Sequence, residues 1–252
     1  IESHRCLQMT PALQCNFNCL FCWRFHGLVP FKEPDKWDEP EDILEGCIRA
    51  QRELLSGFKG FSKVSRKMFE EAMEPKHLAV SLDGEPTLYP KLSRLIKIAK
   101  ERGMTVFLVT NGTMPERLKK LEEPTNLYIS VCAPNEETCR RINLPLIPNA
   151  WKRINESLEL MRSFTCNTVI RHTLVKGFNM NNIEEYAKLD LKAEPKFIEC
   201  KGYMWVGESQ KRLPMEAMPR MEDIERFALK LSELTGYEIK EKDEASRVIL
   251  LK

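Results

Sequence analysis

A chain of 252 residues, 42% hydrophobic and 30% charged, carries enough apolar material for a sizeable core and has the composition of an ordinary globular protein. No apolar run approaches the roughly 20 residues needed to cross a bilayer, which argues against a helical membrane protein. A net charge of +2 does not mark a nucleic-acid binder by itself, and nine irregularly spaced cysteines fit a reducing cytoplasm better than a disulfide scaffold.

The chain starts at Ile1 rather than Met, so a truncated N-terminus is expected. LQMTPAL reads as a first strand leading into a cysteine-rich loop. EDILEGCIRAQRELLSG follows as a helix, with Ile43, Cys47, Leu54 and Leu55 near one face and Gly57 as its stop. The pairing then repeats. HLAVSL precedes a helix carrying Leu92, Leu95, Ile96 and Ala99 and stopping at Gly103; TVFLVT precedes a short helix near 115–121. LYISVCA precedes the helix of Trp151, Ile154, Leu158 and Met161; TVIRHTLV precedes one near 183–189. FIECKGYM precedes a helix over about 221–234 closed by Gly236, and GYEIK with SRVILL forms a terminal hairpin over 237–252. Six strand-helix units suggest a single α/β domain over 1–252, an incomplete (β/α)6 TIM-like barrel with a C-terminal β-hairpin and its working residues at the C-terminal ends of the strands.

Charge is unevenly placed. Between Pro30 and Glu45 two basic residues face seven acidic ones; between Arg49 and Lys67 six basic residues face Glu53 alone. GFKGFSK, with Phe58 and Phe61, lies in the basic segment, a composition that suits either phosphate contact and base stacking or a solvated helix end.

Cys15, Cys19 and Cys22 form a C-x3-C-x2-C run. Three thiolates can hold an iron-sulfur cluster and leave one iron open, whereas structural zinc wants a fourth ligand, for which His26 is a nearby candidate. A zinc-stabilised RNA-binding module is therefore a rival. Polar residues punctuate the strand ends: DGEPT after strand two, NGT after strand three, Ser130 and Cys132 in strand four, and Arg171, Lys176 and Gly177 in or after strand five. Each also suits turn chemistry; their shared position favours function.

The triad together with Gly84 and Glu85 resembles the radical S-adenosylmethionine superfamily. SHRCLQMTPALQCNFNCLFCWR, SLDGEPTLYP, LVTNGT and LVKGFNM resemble, more narrowly, the archaeal tRNA 4-demethylwyosine synthases of the wybutosine pathway. The resemblance implies that Cys15, Cys19 and Cys22 bind a 4Fe-4S cluster whose open iron chelates the methionine part of S-adenosyl-L-methionine. Gly84 and Glu85 match the Gly-Gly-Glu position that contacts the methionine ammonium, with Asp83 standing where the first Gly is usual. Asn111 and Ser130 match regions that reach the methionine or ribose, and Arg171 would pair with the carboxylate.

The same resemblance implies a lyase of tRNA processing that condenses N1-methylguanosine in the anticodon arm of tRNA-Phe with pyruvate to form 4-demethylwyosine, using a 5′-deoxyadenosyl radical and an external electron donor. The target base would leave its stack, with Trp23, Phe25, Phe58 and Phe61 as candidate stacking surfaces. Cys6, in HRCLQMTP, matches the last of three cysteines holding a probable second 4Fe-4S cluster. Lys176, Asn179, Lys201, Lys211 and Arg212 are candidates for contacts to RNA. Cys47, Cys132, Cys139, Cys166 and Cys200 read as packing residues, and His77 and His172 as core histidines. A cytoplasmic monomer is expected. A radical enzyme that activates another protein would share the triad and the Gly-Glu pair but lack the GEPTLYP context.

Overall fold

A computed structural model describes residues 2–27, 31, 32 and 34–252; Ile1, where the single-domain reading begins, and Pro30 and Glu33 of the acidic stretch lie outside the described residues. The elements run β1 (Cys6–Met9), α1 (Pro40–Leu55), α2 (Arg66–Ala72), β2 (His77–Val80), α3 (Leu92–Glu101), β3 (Thr105–Thr110), α4 (Pro115–Leu118) and β4 (Asn126–Ser130). They continue with α5 (Glu136–Ile142), α6 (Ala150–Leu160), β5 (Asn167–Leu174), α7 (Ile183–Ala193), β6 (Phe197–Gly202), α8 (Met221–Thr235), β7 (Ile239–Asp243) and β8 (Val248–Leu251). One open sheet has the order β1-β2-β3-β4-β5-β6-β8-β7. The first six strands are parallel neighbours in chain order, and β8 joins β6 antiparallel.

Side-chain alternation separates the two sheet faces. On β5, His172 points to α7, where it meets Asp190, so Arg171 and Thr173 point the other way. On β6, Ile198 and Cys200 pack among Tyr186, Ile224, Phe227 and Leu231 of α7 and α8, which leaves Glu199 and Lys201 on the face of Arg171. The helix-covered face is a dry core, where each fully buried Leu or Ile side chain contributes about 2 kcal/mol. Leu95 and Ile96 of α3 and Leu127 and Ile129 of β4 belong to it. The opposite face keeps its charges and opens at the C-terminal strand ends.

Most predicted helices form where the apolar period places them. Gly103 and Gly236 take positive φ (74° and 78°) just past α3 and α8, as C-terminal stops require. Two helices escaped the periodicity because they are short: α2, capped by Ser65, and α5, whose Asn135 side chain accepts the Thr138 N–H at 3.0 Å. Gly57 does not stop α1, which passes at Ser56 into a 3-10 turn over 56–60. The helix expected over 115–121 shortens to α4.

The basic, aromatic segment follows α1, toward the N-terminal ends of the strands. Gln51 and Arg52, late in α1, donate to the Ala72 and Met73 carbonyls just before β2, at 3.1 and 2.8 Å. Phe58, Phe61, Lys59 and Lys63 follow there, beside the N-terminal strand ends, with both rings more than half exposed.

Candidate active site

The C-terminal ends of the strands surround a cavity of about 370 Å³. Its wall includes Cys15, Cys19, Cys22, Gly84, Glu85, Asn111, Ser130 and Arg171, so eight of the nine sequence-selected residues meet in one place. Cys6 is the exception. It opens β1 and lines a separate recess of about 320 Å³ with His4 and Cys47, at the opposite end of that strand from the triad.

The cysteine loop leaves β1 and is pinned to the segment after α5. Leu20 donates its N–H to the Ile142 carbonyl at 2.9 Å, Asn18 to the Asn143 carbonyl at 3.1 Å, and Leu146 donates back to Asn16 at 2.9 Å. Asn143 also donates its side-chain amide to Cys19 Sγ at 3.3 Å. Burial, with Glu85 nearby, pushes the Cys15 thiol up to about 12; burial likewise raises Cys19 well above the usual thiol range and raises Cys22. Desolvated thiols of this kind ionise when a metal centre takes the charge. Among the described residues, no group of three or more His, Cys, Asp or Glu is gathered around a single-ion site. Cys15, Cys19 and Cys22 all line the cavity, three thiols of the kind that hold an iron-sulfur cluster. His26, the fourth ligand of the zinc reading, is outside the described cavity wall.

Gly84 has φ +65°, and a Cβ there would strike the Ala12 carbonyl oxygen, with Gln14 O also 2.9 Å away. Only glycine lets the loop after β2 lie against the entry to the cysteine loop. Glu85 fixes that approach: its N–H donates to Gln14 O at 2.8 Å. Its buried carboxylate accepts from Thr87 N–H (3.0 Å), Thr87 Oγ1 (2.5 Å), Thr110 Oγ1 (2.6 Å) and Asn111 N–H (2.8 Å). Burial raises the Glu85 carboxyl despite these four donors. Oε1 takes three of them and Oε2 one, so Oε2 keeps acceptor capacity toward the cavity.

Asn111 reaches across to the cysteine loop, donating to Asn16 Oδ1 at 2.7 Å while its own Oδ1 accepts from Thr113. Arg171 pairs with Glu199 and lies over the Tyr128 ring, 4.7 Å from its centroid. Its charge is therefore already matched by Glu199, the partner beside which the expected pairing with the methionine carboxylate would have to form. Ser130 stands beside it in register on β4.

Sequence reasoning missed Asp83 and Arg24 as a pair. Arg24, buried, pairs through Nε with Asp83 Oδ1 at 3.1 Å and donates to Leu13 O at 2.5 Å. The residue replacing the customary first Gly thus ties the loop after β2 to the residue two past Cys22. His172, expected as a core histidine, is one: Asp190 and the Val131 carbonyl satisfy both ring nitrogens. Cys132, expected only to pack, also borders the cavity. Trp23, Leu82, Met204 and Val206 form an exposed apolar rim around the mouth.

Comparison with known proteins agrees with this geometry. Residues 9–189 match the profile "Radical SAM superfamily" and residues 192–252 the profile "Wyosine base formation". The chain is 52% identical, over its full length and 75% of the relative, to the S-adenosyl-L-methionine-dependent tRNA 4-demethylwyosine synthase of Pyrococcus abyssi. It is 41% identical to that of Methanocaldococcus jannaschii, over its full length and 82% of the relative. The solved "Structure of TYW1 with a lysine-pyruvate adduct bound" superposes with a TM-score of 0.90 at 40% identity, covering 99% of this chain and 80% of that one. A chain alike along its whole length in sequence and backbone shares the ancestry of these proteins, and it belongs to the radical S-adenosylmethionine superfamily and, within it, to the tRNA 4-demethylwyosine synthases.

Proposed function

We propose that this chain converts N1-methylguanosine in the anticodon arm of tRNA-Phe, with pyruvate, to 4-demethylwyosine. The observation that carries the reading is the gathering of Cys15, Cys19 and Cys22 with Gly84, Glu85 and Asn111 around one cavity at the strand ends. In this reading the triad holds a 4Fe-4S cluster and the Gly84–Glu85 turn receives the methionine part of S-adenosyl-L-methionine. When bound, these groups would supply reductive cleavage of the cofactor's sulfonium bond, with the electron from an external donor.

The chain's own residues bind, orient and exclude water. Glu85 would receive the methionine ammonium, and Asn111 and Ser130 would border the space for the remainder of the cofactor. Phe17, Phe21 and Tyr203 shield it from solvent. Trp23 and Met204, at the rim, receive the extruded guanine by stacking and apolar contact, an arrangement that single-stranded nucleotides favour. Arg171, matched by Glu199, orients that strand pair in preference to meeting a free carboxylate.

The sheet is read as an incomplete (β/α)6 barrel with β7 and β8 as its terminal hairpin, and residues 1–252 as one domain acting as a cytoplasmic monomer. Cys6 would serve a second 4Fe-4S cluster in the recess it shares with Cys47, apart from the triad. Anaerobic reconstitution followed by S-adenosyl-L-methionine, dithionite, pyruvate and N1-methylguanosine tRNA tests the proposal. The expected product is the tricyclic base with 5′-deoxyadenosine; 5′-deoxyadenosine without any change in the tRNA would refute the substrate assignment.

A further inference from the structure

Arg212, expected on sequence to face RNA, is turned instead onto the cysteine loop. Its Nε donates to the Leu20 carbonyl at 3.1 Å; its Nη2 donates to the Cys22 carbonyl and to the Arg24 carbonyl at 3.3 Å. These three acceptors span the segment that carries the third thiol. The same stretch makes two further contacts to Trp23. Glu208 donates its N–H to the Trp23 carbonyl at 2.8 Å, and Gly207, at φ +58°, lies where a Cβ would strike that same oxygen.

The bracing stretch is itself held firmly. Tyr203 donates its hydroxyl to Ser209 Oγ at 2.8 Å, Ser209 donates to Val206 O at 2.6 Å and is fully buried, and Trp205 Nε1 donates to Leu213 O at 2.9 Å. A planar guanidinium spreads its donors over several carbonyls at once, which an ammonium on a flexible stem does not reproduce.

Resting on the reading that the triad carries a 4Fe-4S cluster, we propose that Arg212, with Gly207 beneath Trp23, is a positioning residue that sets the retention and the reduction potential of that cluster. The guanidinium holds the Leu20–Arg24 backbone so that Cys22 presents its thiolate at the cavity wall. Its charge also opposes the negative charge a cluster gains on reduction, which favours the reduced state.

The test uses the full chain, anaerobically reconstituted, with chelator-driven iron release, potentiometric titration followed by electron paramagnetic resonance, and tRNA binding as readouts. Arg212→Gln is expected to lose iron about tenfold faster, to reduce at a more negative potential, and to bind tRNA as the wild type does. Arg212→Lys is expected to restore the potential and only part of the retention; Gly207→Ala, which leaves the charge in place, is expected to speed iron release. Lys230→Ala, an exposed residue of α8 paired with Glu233, is the control and is expected to match wild type. Wild-type release and potential in Arg212→Gln would overturn the proposal, as would loss of tRNA affinity with the cluster unchanged. If the Gln variant does not fold, unchanged iron release in both Arg212→Lys and Gly207→Ala overturns it equally. Iron and sulfide content of the wild-type chain reads the cluster assignment separately, and their absence would overturn both.

Discussion

Glu85 and Asn111 are joined across two strand ends: the carboxylate accepts the Asn111 backbone N–H at 2.8 Å, and the Asn111 side chain passes the connection to Asn16 at 2.7 Å. The loops after β1, β2 and β3 are thereby one hydrogen-bonded unit. Replacing Glu85 with Gln puts an amide N–H among four donors, and leaving such groups unmatched costs about 1 to 3 kcal/mol. Glu85→Gln is expected to unfold earlier in urea by that amount and to bind S-adenosyl-L-methionine at least about tenfold more weakly, a factor that corresponds to about 1.4 kcal/mol. Equal affinity in an equilibrium titration would assign Glu85 a purely structural role.

Gly84 allows no side chain, because its φ and the Ala12 carbonyl both exclude one. Gly84→Ala is expected to cost more than about 1 kcal/mol, read as a lowered melting temperature, and to weaken cofactor binding together with cluster retention. A variant that melts normally would mean that the loops separate at little cost.

Arg24 and Asp83 form a buried pair, and removing one partner strands the other; such losses are about 3 to 5 kcal/mol. Asp83→Asn is therefore expected to destabilise more than the double variant Asp83→Asn with Arg24→Met. Additive effects in the thermodynamic cycle would rule out direct coupling between the two.

Asp223, at the start of α8, accepts from Lys176 Nζ at 2.9 Å and from the Arg220 N–H at 3.0 Å, and the Lys176 hydrogen bond above all holds its carboxyl below the usual range. A depressed carboxyl stabilises the fold above its unfolded value of 3.8 and loses that contribution as the pH falls through its folded value. The stability gap between wild type and Asp223→Asn is expected to be flat from neutral pH down to about 5 and to close below 3.8. A gap that widens on acidification would contradict the sign.

Charge reversal at Lys59 and Lys63 is expected to change tRNA affinity less than about twofold and to leave its salt slope unaltered, because these side chains sit at the strand ends remote from the cavity. Trp23→Ala, at the rim, is expected to weaken binding about tenfold, as loss of one stacked base does. Filter binding at several salt concentrations distinguishes the two surfaces.

The site was legible in the sequence to the extent that chemistry is local. Three cysteines in eight residues and a Gly-Glu pair at a strand end are short motifs, and parallel strand order carries them to a common rim. Arg24–Asp83 and Arg212 were not legible, because their partners are 59 and about 190 positions away and backbone carbonyls leave no mark on sequence. The basic patch could not be placed for a related reason: composition records charge, while only the course of α1 decides which end of the sheet that charge occupies. Short α2 and α5 fell below the length at which a helical period can be read.

The two family profiles meet at residues 189–192, inside α7, yet the sheet runs through that boundary without a break: β5 and β6 pair over six residues. A polypeptide ending there would keep Cys15, Cys19 and Cys22 and every residue of the Gly84–Glu85 turn, but would bare the edge of β5 and release Leu20, Cys22 and Arg24 from Arg212. The part of the molecule common to a large superfamily is thus not an independent module here; its competence is on loan from residues 192–252, which make the family distinct.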